Sequence, residues 1–183
     1  MKKLMLTMAV VLAAAMTQAA MVDWKVAAGP ATKRLFNMAG TGAYKGTVYL
    51  VLAANESNII NAMKAGESWS SYVVDSTTSL NATTGGMSAF DRTPDTLTSA
   101  EQSFKILLVE NDGKNDWYKF STAKSETPQA DPDNTPAQIQ FTGNADFGTK
   151  GQGWTKVEAV PEPTSAMLLL LGVAGLALRR RRA

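Results

Sequence analysis

The chain has no cysteine and no histidine in its 183 residues. Without cysteine no disulfide can staple it, so packing and hydrogen bonds alone must hold the fold. Without histidine, the Ser-His and Cys-His nucleophilic arrangements are excluded. So is every zinc, copper or iron site that relies on imidazole or thiolate. Catalysis would be left to paired carboxylates, or to Ser/Lys and Tyr chemistry. An excess of either charge is also lacking. The formal net charge is +2, from 18 basic and 16 acidic residues. Six of the basic residues, Lys2, Lys3, Arg179, Arg180, Arg181 and Arg182, lie at the two ends. Residues 20–160 hold 12 basic and 15 acidic residues, a net of −3. No basic surface remains there to steer the chain onto nucleic acid. Long apolar runs are confined to the ends as well.

At the N-terminus, Lys2 and Lys3 precede residues 4–16, which are apolar but for Thr7. Thr17, Gln18 and Ala19 follow, with small residues at the first and third places. This order is that of a secretory signal peptide, with cleavage expected between Ala19 and Ala20. Residues 1–19 are therefore set apart from the fold. At the C-terminus, Pro161, Glu162 and Pro163 lead into an uncharged apolar run, residues 166–178, closed by the four arginines. As a helix that run covers roughly 20 Å, against a hydrocarbon core of about 30 Å. It has no polar face to lay on a sheet, and the arginine stems can snorkel and lengthen the span. It reads as a transmembrane helix with its basic end on the cytoplasmic side. The two prolines hold the preceding backbone extended and remove two amide donors.

Val160, Pro161, Glu162 and Pro163, the apolar helix and the arginine tail together resemble a PEP-CTERM sorting signal, over about 24 of the 183 residues. The resemblance implies recognition by an exosortase, a membrane-embedded cysteine transpeptidase of Gram-negative bacteria that make exopolysaccharide. Pro161, Glu162 and Pro163 match the recognition triplet, and Arg179, Arg180, Arg181 and Arg182 match the stop-transfer tail. The nucleophile belongs to the exosortase, so this chain is expected to be its substrate and not an enzyme. The further partners expected are signal peptidase and the secretion machinery, the inner membrane transiently, and exopolysaccharide. No cofactor, metal or nucleic acid is called for. The protein is expected to cross the inner membrane, to be anchored by the C-terminal helix before processing, and then to reach the cell surface or the exterior.

Three segments follow: a signal peptide (1–19), an exported β-rich domain (20–159) and the sorting signal (160–183). The last divides into a motif (160–165), a helix (166–178) and a basic tail (179–183). The exported part is one domain by length, large enough for a core without staples. Residues 22–26 alternate apolar and charged, as in a strand with one wet face. Residues 47–52 are continuously apolar and β-branched or aromatic, as in a central strand buried on both faces. In residues 55–65, Ile59, Ile60 and Met63 take helical spacing, with Asn55 to cap and Gly66 to stop the helix. Further strands are expected at 71–75, 104–110, 117–122, 137–141 and 155–159. A hairpin is expected at 111–116, where Asp112-Gly113 suits the turn. Residues 77–92, 125–136 and 143–153 read as loops, and 98–101 as a helical turn with capping-box spacing. The composite is a mainly β fold, a β-sandwich or jelly-roll-like domain with one short helix.

Candidate sites in the domain are less defined. Residues 111–116 and 131–134 hold Asp and Asn at spacings resembling calcium loops, but neither has the glutamate at position 12 of an EF-hand. Turn chemistry accounts for them. Trp24, Trp69, Trp117 and Trp154, with Tyr44, Tyr72 and Tyr118, could stack on sugars or fill the core. Trp154 shares its predicted face with Lys156 and Glu158, so it is the expected exposed ring and ligand contact. Glu56, Glu67, Asp75, Asp91, Asp95, Glu101 and Glu110 could supply a carboxylate pair, whose separation sequence does not give. Three functions are weighed: a structural or adhesive surface protein, a carbohydrate- or calcium-binding module, and a carboxylate-based hydrolase.

Overall fold

The computed structural model describes residues 19–29, 33–130 and 136–158. The signal peptide but for its last residue, the 131–134 cluster and the whole sorting signal lie outside them. The described part is mainly β. Its strands are β1 (Ala19–Ala20), β2 (Asp23–Ala27), β3 (Val48–Leu52), β4 (Val73–Thr77), β5 (Asp91–Arg92), β6 (Leu97–Thr98), β7 (Gln102–Asn111), β8 (Asp116–Phe120), β9 (Lys124–Glu126), β10 (Gln138–Thr142) and β11 (Thr155–Lys156). Helix α1 spans Glu56–Ala65 and a short helix, α2, spans Gly143–Phe147.

The strands form an open six-stranded sheet, a three-stranded sheet and a two-stranded ribbon. The largest runs β11-β8-β7-β3-β4, with β9 also on β7. The three-stranded sheet runs β10-β2-β5, and β1 pairs with β6. Long β7 organises the six-stranded sheet, because its ten residues alternate between two apolar faces. Phe104, Ile106 and Leu108 point inward with Val48 and Leu50 of β3, against Trp24, Val26, Ile139 and Phe141 of the smaller sheet. Leu107 and Val109 point to the other face with Tyr49, Val51, Tyr118 and Phe120. There Ile59 of α1 packs on them. One core lies between the sheets, and a second lies under the helix.

Residues 47–52 occupy the expected central place, as β3 hydrogen-bonds to β4 on one side and β7 on the other. The 55–65 helix ends as its sequence predicts, with Gly66 left-handed at φ 68° and its N–H on Ala62 and Met63. Asn55 differs. It makes no side-chain cap bond, since a 3-10 turn over Ala53–Asn55 already leads the chain in. The hairpin joins β7 to β8 through positive-φ Gly113.

Four local expectations are corrected. Residues 98–101 do not form a helical turn. Thr98 belongs to β6, and the Gln102 side chain donates to the Thr98 carbonyl at 2.8 Å. Residues 77–92 are not wholly a surface loop, because Gly85, Gly86 and Met87 are buried. A Cβ on Gly85 would lie 2.7 Å from the Leu35 carbonyl oxygen, and one on Gly86 would lie 2.6 Å from Ala28 Cβ. The glycine pair serves close backbone approach and not only a turn. Residues 143–147 form α2 instead of loop, with Asp146 buried beneath. Residues 124–126 extend the large sheet as β9. The pairing of β10 with β2 is parallel, from Gln138 opposite Asp23 to Thr142 opposite Ala27. Nothing local in either strand signals it.

Tyr44 closes the hairpin end of the large sheet. Its hydroxyl lies 2.7 Å from the Thr47 carbonyl oxygen and 3.0 Å from that of Val109, and accepts the Val109 N–H at 3.3 Å. Burial pushes the phenol well above its ordinary pKa, so it stays a neutral donor. Tyr44→Phe strands those backbone groups and should cost about 1–3 kcal/mol. Denaturant unfolding checks this: the midpoint should fall with the m-value unchanged.

Candidate functional site

A groove of about 450 Å³ lies along the edge strand β4. Tyr49 of β3, Trp69, and Val73 of β4 supply its apolar wall, and Ser68, Ser70, Ser76 and Asp75 supply its polar groups. The sequence builds it in three steps. After Gly66 ends α1, residues 67–69 carry no regular structure, and a 3-10 turn over Ser70–Tyr72 delivers the chain into β4. The β3–β4 register then shifts between Leu50 and Val51, an irregularity that re-aims the side chains of β4. Trp69 meets Tyr49 edge to face, with centroids 4.9 Å apart and planes at 81°. Both rings are half-buried.

Asp75 marks the polar end. Its Oδ2 accepts the Trp24 indole N–H at 2.7 Å, and its Oδ1 accepts the Ser76 N–H at 2.8 Å. Trp24 is fully buried between the sheets. Burial raises the Asp75 carboxyl above its ordinary range. The Trp24 and Ser76 bonds oppose that rise, and the nearby Asp91 carboxylate adds a smaller push upward. Asp75 and Asp91 are thus two of the seven candidate acids that the fold brings near one another. The others are dispersed. Glu56 pairs with Lys105 at 2.5 Å. Glu67, Asp95 and Glu101 are exposed. Glu110 accepts the Met38 N–H at 2.9 Å and is raised by its own burial.

The expected ligand contact, Trp154, is not the exposed ring its alternation predicts. It is half-buried against the inter-sheet core, with its ring 6.2 Å from that of Tyr44. Thr155, expected to face inward, is exposed. The assignment holds for Lys156, Val157 and Glu158 and fails at Trp154 and Thr155, because β11 is two residues long and its preceding glycine loop sets the entry. Trp24 and Tyr44 are core residues, and Tyr118 is buried under α1. Trp117 donates its indole N–H to Asp112 at 3.0 Å. Trp69 is the ring that lines the groove. The signal that could have found it is its place between a helix-ending glycine and a strand, flanked by Ser68, Ser70 and Ser71.

The 111–116 turn uses its own oxygens. Asp112 Oδ1 accepts the N–H groups of Lys114 and Asn115, while Oδ2 accepts Trp117. These bonds, led by Trp117, lower its carboxyl to about 2. Among the described residues no group of three or more His, Cys, Asp and Glu could hold a metal ion. Lys119 is buried with its Nζ donating to the Gln152 carbonyl, and burial lowers its pKa. Ser121, two residues on, has its hydroxyl taken by the Ile106 N–H and the Thr122 carbonyl, so it is not poised for Ser/Lys chemistry. Ala19 and Ala20 form β1, and Ala20 is fully buried opposite Leu97.

Val160, Pro161, Glu162, Pro163 and the four terminal arginines follow the last described residues. β11, the last described strand, pairs with β8 at an edge of the large sheet. Residues 159–182 match the family model described as the PEP-CTERM protein-sorting motif. The chain carries that sorting signal at its C-terminus, as its residues led one to expect. No curated protein and no solved structure matches the chain. Among the described residues no helix is long and apolar enough to cross a membrane. The apolar run 166–178 lies outside them.

The carboxyl of Asp75 holds its proton more tightly when folded than its ordinary value of 3.8 allows. Its contribution to stability is therefore complete below pH 3.8 and is lost as pH rises through the raised folded value. Asp75→Asn removes that loss while keeping an acceptor for Trp24. The variant should be at least as stable as the parent at neutral pH, with a weaker fall in stability above pH 3.8. Thermal melts across pH check this, and a clear loss of stability at neutral pH would contradict it.

Proposed function

We propose that this chain is an exported, exosortase-sorted protein of the cell surface or extracellular matrix, with a structural or adhesive role associated with exopolysaccharide. The observation that carries the reading is the sorting motif over residues 159–182. Pro161, Glu162 and Pro163 give an extended segment that a membrane enzyme can thread. The helix at 166–178 holds it at the bilayer, and Arg179, Arg180, Arg181 and Arg182 stop its passage. Signal peptidase cuts between Ala19 and Ala20. Ala20 is fully buried in the folded domain, so that cut precedes folding on the far side of the membrane. The exported unit is then residues 20–159, and two sheets around one core support a β-sandwich reading of it. A parallel β2–β10 pair argues against a jelly roll.

A second reading, a carbohydrate-binding module on the same route, draws support from the Tyr49–Trp69 groove. The calcium alternative draws little from residues 111–116, where turn amides already take the Asp112 oxygens. The hydrolase alternative has only Asp75 and Asp91 in proximity, and Asp75 is engaged by Trp24 and Ser76.

Deletion of residues 161–163 in a host that carries the exosortase should leave a full-length, membrane-retained form. The parent should be processed and move to the surface or medium. Cell fractionation and immunoblotting read the difference, and normal processing of the deletion refutes exosortase sorting.

A further inference from the structure

The groove on β4 has the chemistry of a small polar ligand site, and that chemistry narrows the ligand. We propose that it binds a neutral hexopyranose unit of a polysaccharide, with Trp69 and Tyr49 as the stacking wall and Asp75 with its neighbouring serines as the hydroxyl-binding side.

Four observations carry the assignment. The groove holds about 450 Å³, within the range of ligand pockets. Its lining combines two aromatic rings with three serines and a carboxyl group. A pyranose offers the matching combination, with C–H faces above and below the ring and hydroxyls around the rim. Trp69 and Tyr49 brace each other at 4.9 Å, which fixes their rings at little entropic cost on binding. Asp75 is likewise fixed before any ligand arrives, by Trp24 at 2.7 Å and the Ser76 N–H at 2.8 Å. Each carboxylate oxygen keeps lone-pair capacity for a sugar hydroxyl.

The lining also excludes competitors. Among the described residues it contains no lysine or arginine, so a phosphate or uronate would meet Asp75 without a balancing cation. A quaternary ammonium ligand would suit two aromatic rings and a carboxylate. Its methyl groups offer nothing to the hydroxyls of Ser68, Ser70 or Ser76, however. Ser68 and Ser70 share a hydrogen bond at 3.0 Å, which uses one of their two hydroxyl protons and leaves the other free to donate.

The assignment rests on the exported-surface reading for the place where such a polymer is met, but the two fail separately. Sorting is read in cells, and groove binding on the purified chain. The test uses the full-length chain in a detergent without a sugar headgroup, labelled with 5-fluorotryptophan. Its four tryptophans give four fluorine resonances, and Trp69→Phe identifies that of Trp69. The probes are tetramers of neutral glucose, mannose and galactose, with choline chloride as the cationic competitor. We expect at least one tetramer to shift the Trp69 resonance saturably. Tyr49→Ala should weaken binding by about tenfold, and Asp75→Asn should weaken it severalfold while the protein stays folded. Trp117→Ala, on the opposite hairpin, should leave it unchanged. Absence of any Trp69 shift with all three tetramers overturns the proposal. So does choline binding tighter than every tetramer, or saturable saccharide binding that Asp75→Asn leaves intact.

Discussion

The bond from the Trp24 indole to Asp75 ties together the two sheets of a domain that has no disulfide to do so. Trp24 lies on the small sheet and Asp75 on the edge strand of the large one. The ring must be buried to fill the space between the layers, and its N–H must then find an acceptor. Asp75 meets that need from the sheet's rim, where a carboxylate keeps partial access to water. A hydrophobic residue at 75 would leave the indole unsatisfied, and a carboxylate deeper in the core would be costlier still. The same side chain is thus a structural acceptor on one side and a polar wall of the groove on the other. It is raised in pKa because it serves the first role from a partly buried position.

The acid at the 111–116 turn shows the opposite balance. Asp112 is exposed, bonded by two backbone amides and one indole, and lowered to about 2. Both carboxylates accept an indole N–H. Solvent decides the sign: bonds dominate where water remains, and desolvation dominates where it is removed. Asp112 lends stability that is present above 3.8 and lost as pH falls toward 2. Asp75 contributes in the reverse direction.

Much of this architecture was legible in single segments. Residues 47–52 announced a central strand by continuous burial, and Gly66 announced the helix end by its left-handed freedom. The alternation of Ile139 and Phe141 announced a half-buried strand. The sorting motif was legible too, because its order of prolines, apolar run and arginines is a pattern of the sequence itself and not a product of packing. What was not legible depends on partners distant in the chain. The parallel match of β10 to β2 joins strands about a hundred residues apart, a separation that local pattern does not encode. Gly85 and Gly86 looked like turn residues because their reason, the approach of Leu35 and Ala28, lies elsewhere. Trp154 and Trp69 exchanged roles for the same cause. Alternation assigns faces well in long strands, and Trp154 precedes a strand of two residues. Trp69 sits in no strand at all, and a bulge on its neighbour fixes its surroundings.

The strand order also separates the end of the described domain from the groove. β11, the last described strand, lies at one edge of the large sheet, and the Tyr49–Trp69 groove lies on β4 at the other. Four strand spacings of about 4.8 Å place these edges roughly 19 Å apart. The last described strand and the groove thus occupy opposite edges of one sheet. Residues 20–160 are mildly acidic in net charge because six of the 18 basic residues lie at the two ends. The order of strands in the sheet therefore sets a separation that no segment of the chain expresses by itself.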